Sequence, residues 1–461
     1  LNEQAKINYI PKHRCLICDG ALRPLWELQN LPASAQDIPT REELSEDHPI
    51  SLMLCQCEVC GLVQFDEEPV HYYRDVIRAG GGTTTMTHLR HEEYTRLLQG
   101  VRRNKESINS GKENVSIPNR FTTEPPTPFK IVEVGCGRGE FLEMWKTLQL
   151  PGVENYKGSI NFSKENVMVS DPVRVEDTGS TDHAAELPPL HLVGLEHSNA
   201  LVEQARAAGF DVYEDFPEPG KPFPEGPFDA FVQFNFLEHQ PDPRSMLRAI
   251  RENLRDGGLG LVTVPSFEYI LHYDGYYEFL RDHIANYTEQ TLGYLFSANG
   301  FEVLSLRIVN RDTIEIIVRK GKGDPSAFKF DGQFVDMTPL KENYAKLSQA
   351  VNAHIAALSA EGGSLALWGA GHQGFTLAST TELGGKVRYI IDSADFKQGK
   401  FAPASHIPIV PPAHFHEDPV TEILIVAPGY TDEIAGIIRK DFGPDVKILV
   451  LRTEKLEEYS K

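Results

Sequence analysis

Three groups of residues in this sequence are of types, and at spacings, that do chemistry. The first is a trio of glycines at alternate positions, Gly135, Gly137 and Gly139, directly after the apolar, β-prone run Ile131-Val132-Glu133-Val134. Glycines spaced in this way strip side chains from a strand-to-helix turn, so that a ligand can lie against the backbone. The second is Asn235-Phe-Leu-Glu238-His239-Gln-Pro-Asp242, in which a carboxylate sits beside an imidazole whose pKa is near neutral. That pair is suited to taking a proton at physiological pH. The third is a pair of C-x-x-C knuckles, Cys15 to Cys18 and Cys57 to Cys60, each able to set two thiolates on one side of a tight turn. Together they make a tetrahedral four-cysteine zinc site, with Cys55 as a spare thiol able to replace Cys57. Nothing nearby supplies a general base, so the zinc reads as a structural staple for a small cap.

The glycine turn excludes two common cradles. A P-loop needs Lys-Ser or Lys-Thr after its last glycine, whereas Gly139 is followed by Glu140. A dinucleotide fingerprint needs G-x-G-x-x-G, whereas the spacing here is G-x-G-x-G. The elements that position the turn follow from apolar periodicity. A helix carries Phe141, Leu142, Trp145 and Leu148 on one face, and a second strand from His191 ends in Glu196, followed by His197 and a helix over Leu201 to Ala208. A carboxylate at the end of that second strand is placed to grip both hydroxyls of a ribose. Asp211 to Glu214 reads as a short third strand and Phe228 to Phe236 as a buried fourth. A helix over Pro243 to Asn253, a turn over Arg255 to Gly258 and a fifth strand over Leu259 to Val264 complete an alternating α/β order.

The string E-x-G-C-G-x-G, spanning Glu133, Gly135, Cys136, Gly137 and Gly139, resembles motif I of class I S-adenosylmethionine-dependent methyltransferases. Asn235 to Asp242 is similar to the N-x-L-E-H-x-x-D signature after the fourth strand of that family, and Asp256-Gly257-Gly258-Leu259 matches its later turn. The resemblance implies S-adenosylmethionine as cofactor, its methionine end against the glycine turn with Glu133 in the polar network around it. Asp215 and Phe216 would then flank the adenine, with Asn235 and Phe236 closing the site. Val264-Pro265 with Glu278 to Tyr287, and Cys57 to Gln64, further resemble a subgroup with an N-terminal zinc domain and a C-terminal Rossmann-like domain. Its best-known members are sugar C-methyltransferases acting on keto-sugar nucleotides. Three features depart from the subgroup: Asp282 replaces the first histidine of the run before Tyr287, Arg311-Asp-Thr stands where Gly-Gly-Ser is usual, and Phe236 stands where the sugar enzymes are expected to have tyrosine.

The expected architecture is therefore α/β, with a zinc-binding cap and lid over residues 1–100, a linker over 101–128, a cofactor domain over 129–320 and a Rossmann-like domain over 338–461. Within the first of these, His88 to Leu98 has helical character, with Leu89, Leu97 and Leu98 as candidate core contacts, and residues 151–190 read as a polar insertion in the cofactor domain. Val70 to Asp75 and Arg78 to Thr85 suit a lid, in which Tyr72 and Tyr73 offer hydroxyls to an acceptor, and His283 joins His239 and Glu238 as a catalytic candidate. In the last domain Gly369, Gly371 and Gly374 do form G-x-G-x-x-G, and Asp392 follows at the separation a dinucleotide site uses. An NAD(P)-dependent oxidoreductase is thus the rival from another class. Lys397 to Ile409 resembles the subgroup's own C-terminal pattern, which implies an acceptor-binding or structural role instead.

A net charge of −21 argues against nucleic acid as partner. The opening residues have no apolar signal-peptide core and no long apolar run appears, which points to a cytoplasmic protein without a membrane partner. The expected activity is methyl transfer to a small metabolite, by C-methylation of a sugar or by O-methylation of a carboxylate or hydroxyl of a natural product.

Overall fold

The structure, a computed structural model, describes residues 9–74, 86–98, 128–148, 189–452 and 455–460. The lid stretch Arg78 to Thr85, all but the last residue of the expected linker and nearly all of the expected insertion lie outside the described residues. Strands β1 (Leu22–Leu31), β2 (Ile50–Cys57) and β3 (Val63–Phe65) come first, then helix α1 over residues 86–98. The middle of the chain runs β4 (Phe129–Val134), α2 (Glu140–Lys146), β5 (Leu190–Glu196), α3 (Asn199–Ala207), β6 (Asp211–Glu214), β7 (Phe228–Phe234), α4 (Pro243–Glu252), β8 (Leu254–Pro265), α5 (Phe267–His272), β9 (Ala285–Asn286), α6 (Glu289–Ala298), β10 (Phe301–Val309) and β11 (Thr313–Lys320). Then follow α7 (Thr338–Ala360), β12 (Leu365–Trp368), α8 (His372–Thr380), β13 (Ile390–Ile391), β14 (Ile409–Val410), β15 (Glu422–Ile425), α9 (Thr431–Ile437), β16 (Lys447–Arg452) and β17 (Lys455–Glu458).

The central sheet has seven strands in the order β10-β11-β8-β7-β4-β5-β6. Strands β8, β7, β4, β5 and β6 are mutually parallel, and β11 and β10 extend the sheet antiparallel. Helices cover both faces of the parallel part, which is why β7 reads as an apolar run rather than an alternation. Pro243 opens α4 behind Asp242, whose side chain accepts from the Ser245 amide, a cap that fixes where the helix starts. Two elements differ from expectation. Helix α2 stops at Lys146, although Leu148 still packs on the core. Strand β8 starts at Leu254, because the expected turn at Gly257 is absorbed as an irregularity in the β7–β8 pairing.

Sequence periodicity placed α1 with the cap, whereas its side chains pack on the central sheet. Tyr94 stacks on Trp145 at 3.7 Å and donates to the Phe141 carbonyl, and the Arg90 guanidinium lies 4.0 Å from the Phe234 ring centre. Arg96 ion-pairs with the fully buried Glu315 of β11.

The first sheet has the order β1-β2-β3-β9, so its last strand comes from the middle of the chain. Val63 pairs with Asn286 and Gln64 with Ala285, and the Phe65 amide donates to the Ile284 carbonyl. Its apolar side chains share a core with Phe267, Phe279 and the α7 residues Leu340 and Leu347. Each such buried side chain contributes about 1.5–3 kcal/mol relative to an exposed one, so the cap is held by its neighbours as well as by its cysteines. The third sheet has six strands in the order β14-β13-β12-β15-β16-β17, parallel except for β17.

Candidate functional site

The glycine turn joins β4 to α2. Gly135, Gly137 and Gly139 have φ of 70°, 59° and 91°, in the left-handed region that side chains disfavour. A Cβ on Gly139 would also come within 2.8 Å of the Phe210 ring, and one on Gly135 within 3.2 Å of Phe236, whereas one on Gly137 would meet nothing closer than 3.6 Å. Packing therefore explains two of the glycines, and the third leaves room above the turn. The Cys136 thiol packs with Leu142 and Val202 and donates to the Gly137 carbonyl at 3.6 Å, fastening the turn to the core. Glu133 is fully buried in β4, paired with Gly194 on one side and Val232 on the other.

Glu196 ends β5 beside the turn and is itself buried. Its carboxylate accepts from the Gly137 amide at 2.8 Å and from the Ser198 amide at 3.0 Å, bracing the cradle it was expected to complete. Beyond β6 the Asp215 carboxylate accepts from the Phe216 amide and from Lys221 Nζ at 2.5 Å. Phe216 meets His197 at 6.1 Å and Tyr73 at 6.4 Å, both edge to face, with the Arg74 guanidinium 4.3 Å from its ring centre. These side chains form an aromatic rim. Asn235 has φ of 44° and its side-chain oxygen accepts from the Thr263 hydroxyl, which turns the chain sharply out of β7.

That turn delivers Leu237 to His239 as one buried 3-10 turn. His239 Nδ1 donates to the main-chain carbonyl of Asp282 at 2.8 Å. Because a carbonyl only accepts, Nδ1 carries a proton, which leaves the lone pair of the neutral imidazole on Nε2. Glu238 Oε1 lies 3.7 Å from His239 Nε2 and 4.0 Å from His283 Nε2, and the two imidazoles meet edge to face at 4.7 Å. Burial, and then the neighbouring His239 and His372, hold the His283 imidazole well below its ordinary pKa. The Asp282 carboxylate accepts from the Tyr72 hydroxyl at 2.5 Å and from the Ala35 amide at 3.1 Å. Burial raises the Asp282 carboxyl pKa against those two hydrogen bonds, and burial followed by the Asp282 charge raises the Tyr72 phenol. Tyr72 thus braces the residue that holds His239, whereas the Tyr73 hydroxyl accepts from Arg74 at the rim.

The C-terminal part reaches the same place through α8. His372 Nε2 donates to Glu278 Oε2 at 3.1 Å, Gln373 donates to the other oxygen at 2.7 Å, and the His372 ring lies 6.3 Å from that of His283. A narrow crevice here is lined by Ser34, Ala35, Leu280, His372 and Thr376, which come from all three parts of the chain.

Comparison with known proteins agrees with this geometry. A family model described as a methyltransferase domain matches residues 89–306, and one described as a C-methyltransferase C-terminal domain matches residues 334–443. The chain thus carries a methyltransferase domain followed by a C-methyltransferase C-terminal domain. C-methyltransferase NovU of Streptomyces niveus is 25% identical over 211 residues, which cover 42% of this chain and 50% of that protein. The alignment thus spans about half the length of that curated relative. Among solved structures, magnesium protoporphyrin IX methyltransferase from Synechocystis PCC 6803 is 9% identical with a TM-score of 0.29, covering 54% of this chain and 88% of that one. YcgJ of Bacillus subtilis is 12% identical with a TM-score of 0.28, covering 44% and 96% respectively.

For such a methyltransferase domain the cofactor is S-adenosylmethionine, and the turn at Gly137, where an added Cβ would meet only the Glu140 carboxylate at 3.6 Å, fits a ligand against its backbone. The C-terminal match also bears on the oxidoreductase rival. Asp392, which a dinucleotide site would turn toward a ribose, accepts from the Ala370 and Ala394 amides and pairs with Lys397 at 3.2 Å. It ties its own loop to the glycine loop after β12.

The four knuckle cysteines come together as the sequence implied. Cys15, Cys18, Cys57 and Cys60 have all their sulfur atoms within 4.8 Å of one another, with Cys15–Cys60 and Cys18–Cys57 each at 3.4 Å. The Val59 and Cys60 amides point at the Cys57 sulfur, an arrangement that favours thiolate, so the quartet is compatible with a structural zinc. Cys57 is the fourth member, and Cys55 stands apart with its thiol pushed up to about 12 by burial and by Asp66.

Three residues that the structure brings to this site were given no role by the sequence: Asp282 and Glu278, which stand in the run before Tyr287, and His372. Asp282 acts through its backbone carbonyl, which has no signature in side-chain type. His372 and Glu278 meet only because α8 docks against the segment before β9. The G-x-G-x-x-G match drew attention to the loop holding His372, for a different reason.

Proposed function

We propose that the protein methylates a carbon next to a carbonyl in a small metabolite, with His239 as the base. The tautomer of His239 carries this reading: Nδ1–H is fixed on the Asp282 carbonyl, so Nε2 is presented as a proton acceptor in a buried pocket. The bound cofactor supplies an electrophilic methyl group. The chain's own residues do the rest. Gly135, Gly137, Gly139 and Glu196 hold the cofactor beside β4, while His197, Asp215 and Phe216 border its adenine end. His239 Nε2 takes the acceptor proton, and Glu238, 3.7 Å away, steadies the imidazolium that forms. Tyr72 and Asp282 fix the ring, His283 closes one wall, and α8 with His372 closes the other. The domain plan that fits is a zinc cap, a cofactor domain that includes α1, and an acceptor-facing C-terminal domain.

The resemblance to sugar C-methyltransferases makes keto-sugar nucleotides the first acceptors to try. With S-adenosylhomocysteine bound and D2O as solvent, the enzyme should wash deuterium into the acceptor carbon, and His239→Ala should abolish the exchange. Methyl transfer without exchange, unaffected by His239→Ala across roughly pH 6–9, would instead mark O-methylation of an ionised carboxylate, which needs no base.

A further inference from the structure

Among the described residues, two clusters bring the ligating atoms of three or more His, Cys, Asp or Glu side chains within 4.8 Å of one another. One is the cysteine quartet. The other is Glu238, His239 and His283, deep in the proposed acceptor pocket. We propose that this second cluster is a metal site that takes one borderline divalent cation of the zinc, cobalt or nickel kind.

Geometry supports the assignment at three levels. The donor set is two imidazoles and one carboxylate, a combination that suits late first-row dications rather than magnesium or calcium. The Glu238 oxygen stands 3.7 Å from one imidazole nitrogen and 4.0 Å from the other. Ligands about 2.1 Å from a tetrahedral ion are separated by roughly 3.4 Å, so the carboxylate oxygen has to close by about 0.3 Å on one imidazole and about 0.6 Å on the other, with the two rings turning inward, to seat the cation. Finally, Nδ1 of His239 donates to the Asp282 carbonyl, the outer contact that ligating histidines use to aim their other nitrogen at a metal. Three protein ligands leave a coordination position open, as at reactive rather than closed sites.

The consequence rests on the base assignment above. A cation on His239 Nε2 occupies the lone pair that would take the acceptor proton, so binding and catalysis compete, and the metal is an inhibitor. Chelation then restores turnover as long as the cysteine-held ion stays in place. The site differs from that quartet in ligand chemistry: two imidazoles and a carboxylate hold a cation less tightly than four thiolates, so a mild chelator empties this site first and only a strong one removes the cysteine-held ion.

The test uses the full chain with its cysteine site filled with zinc and with S-adenosylhomocysteine bound. Titration with cobalt(II), followed by equilibrium binding and visible absorption, should show one added ion whose bands lack thiolate charge transfer. His283→Asn and Glu238→Gln should each weaken that ion by at least the roughly 10- to 100-fold that loss of even an outer contact costs. In turnover assays, zinc should inhibit the wild type, and the inhibition constant of His283→Asn should rise in step with its cobalt affinity. Unchanged S-adenosylhomocysteine binding in both variants shows that they have folded. No ion beyond the cysteine-held one, or equal cobalt affinity in wild type and both variants, overturns the proposal. An ion bound through these residues with turnover undiminished upholds the site and overturns the base assignment instead.

Discussion

The proposed cofactor side and the proposed acceptor side of this protein are built by opposite means. The cofactor side comes from consecutive β-α units of one sheet. Its contacts are largely backbone: three left-handed glycines, the Leu195 carbonyl that accepts from the Gly135 and Cys136 amides, and a carboxylate at a strand end. The acceptor side is made of side chains from remote segments. His239 follows β7, Asp282 and His283 precede β9, Tyr72 and Ala35 come from the cap, and His372 starts α8. A site of the first kind tolerates change elsewhere in the chain. One of the second kind depends on every contact that docks its segments.

The largest test of this contrast is removal of the zinc. Segment 282–287 is stitched to the cap through the β3–β9 pairing, and a structural zinc of this type contributes roughly 10–16 kcal/mol to the folding of its domain. Chelation, or Cys57→Ser, should therefore abolish methyl transfer while calorimetry still finds S-adenosylhomocysteine bound. Parallel loss of both would mean that the two sides are not independent.

Next in size is His239→Ala, which should lower kcat by about 10² to 10⁴ with cofactor affinity intact, the range for loss of a general base. A rise in KM alone would reduce the residue to a wall of the pocket.

Glu196→Ala should weaken S-adenosylmethionine binding by about 1.5–3 kcal/mol, the range for hydrogen bonds to a charged group, and leave acceptor KM near its original value. Since Glu196 also holds the Gly137 amide, part of that loss should appear as a looser turn, visible as faster amide exchange at Gly137.

His372→Ala is expected to have the smallest effect, about tenfold or less in acceptor KM, or roughly 1.4 kcal/mol, with kcat and cofactor affinity kept. An equal effect on cofactor binding would place α8 on the wrong side of the comparison.

Local chemistry made much of the molecule legible in sequence. The glycine turn, the strand ending in Glu196 and the buried run of β7 each follow from rules that act over a few residues, and the observed elements begin and end close to where those rules put them. The four cysteines announced their quartet because two knuckles in one chain have few other uses. Helix α1 shows where local rules stop. Its pattern marked a helix correctly but did not say which surface would receive Tyr94 and Arg96, because an apolar stripe encodes burial and not a partner. The same limit hid the acceptor site. The proton position on His239 was set by a carbonyl 43 residues away, and a neighbour of His283 was an imidazole at the start of α8. Sequence alone determined which residues could do chemistry and how each strand and helix would form. Only the tertiary structure decided which of them meet, because docking of the three sheets is fixed by complementary burial over long loops, and no single segment contains that information.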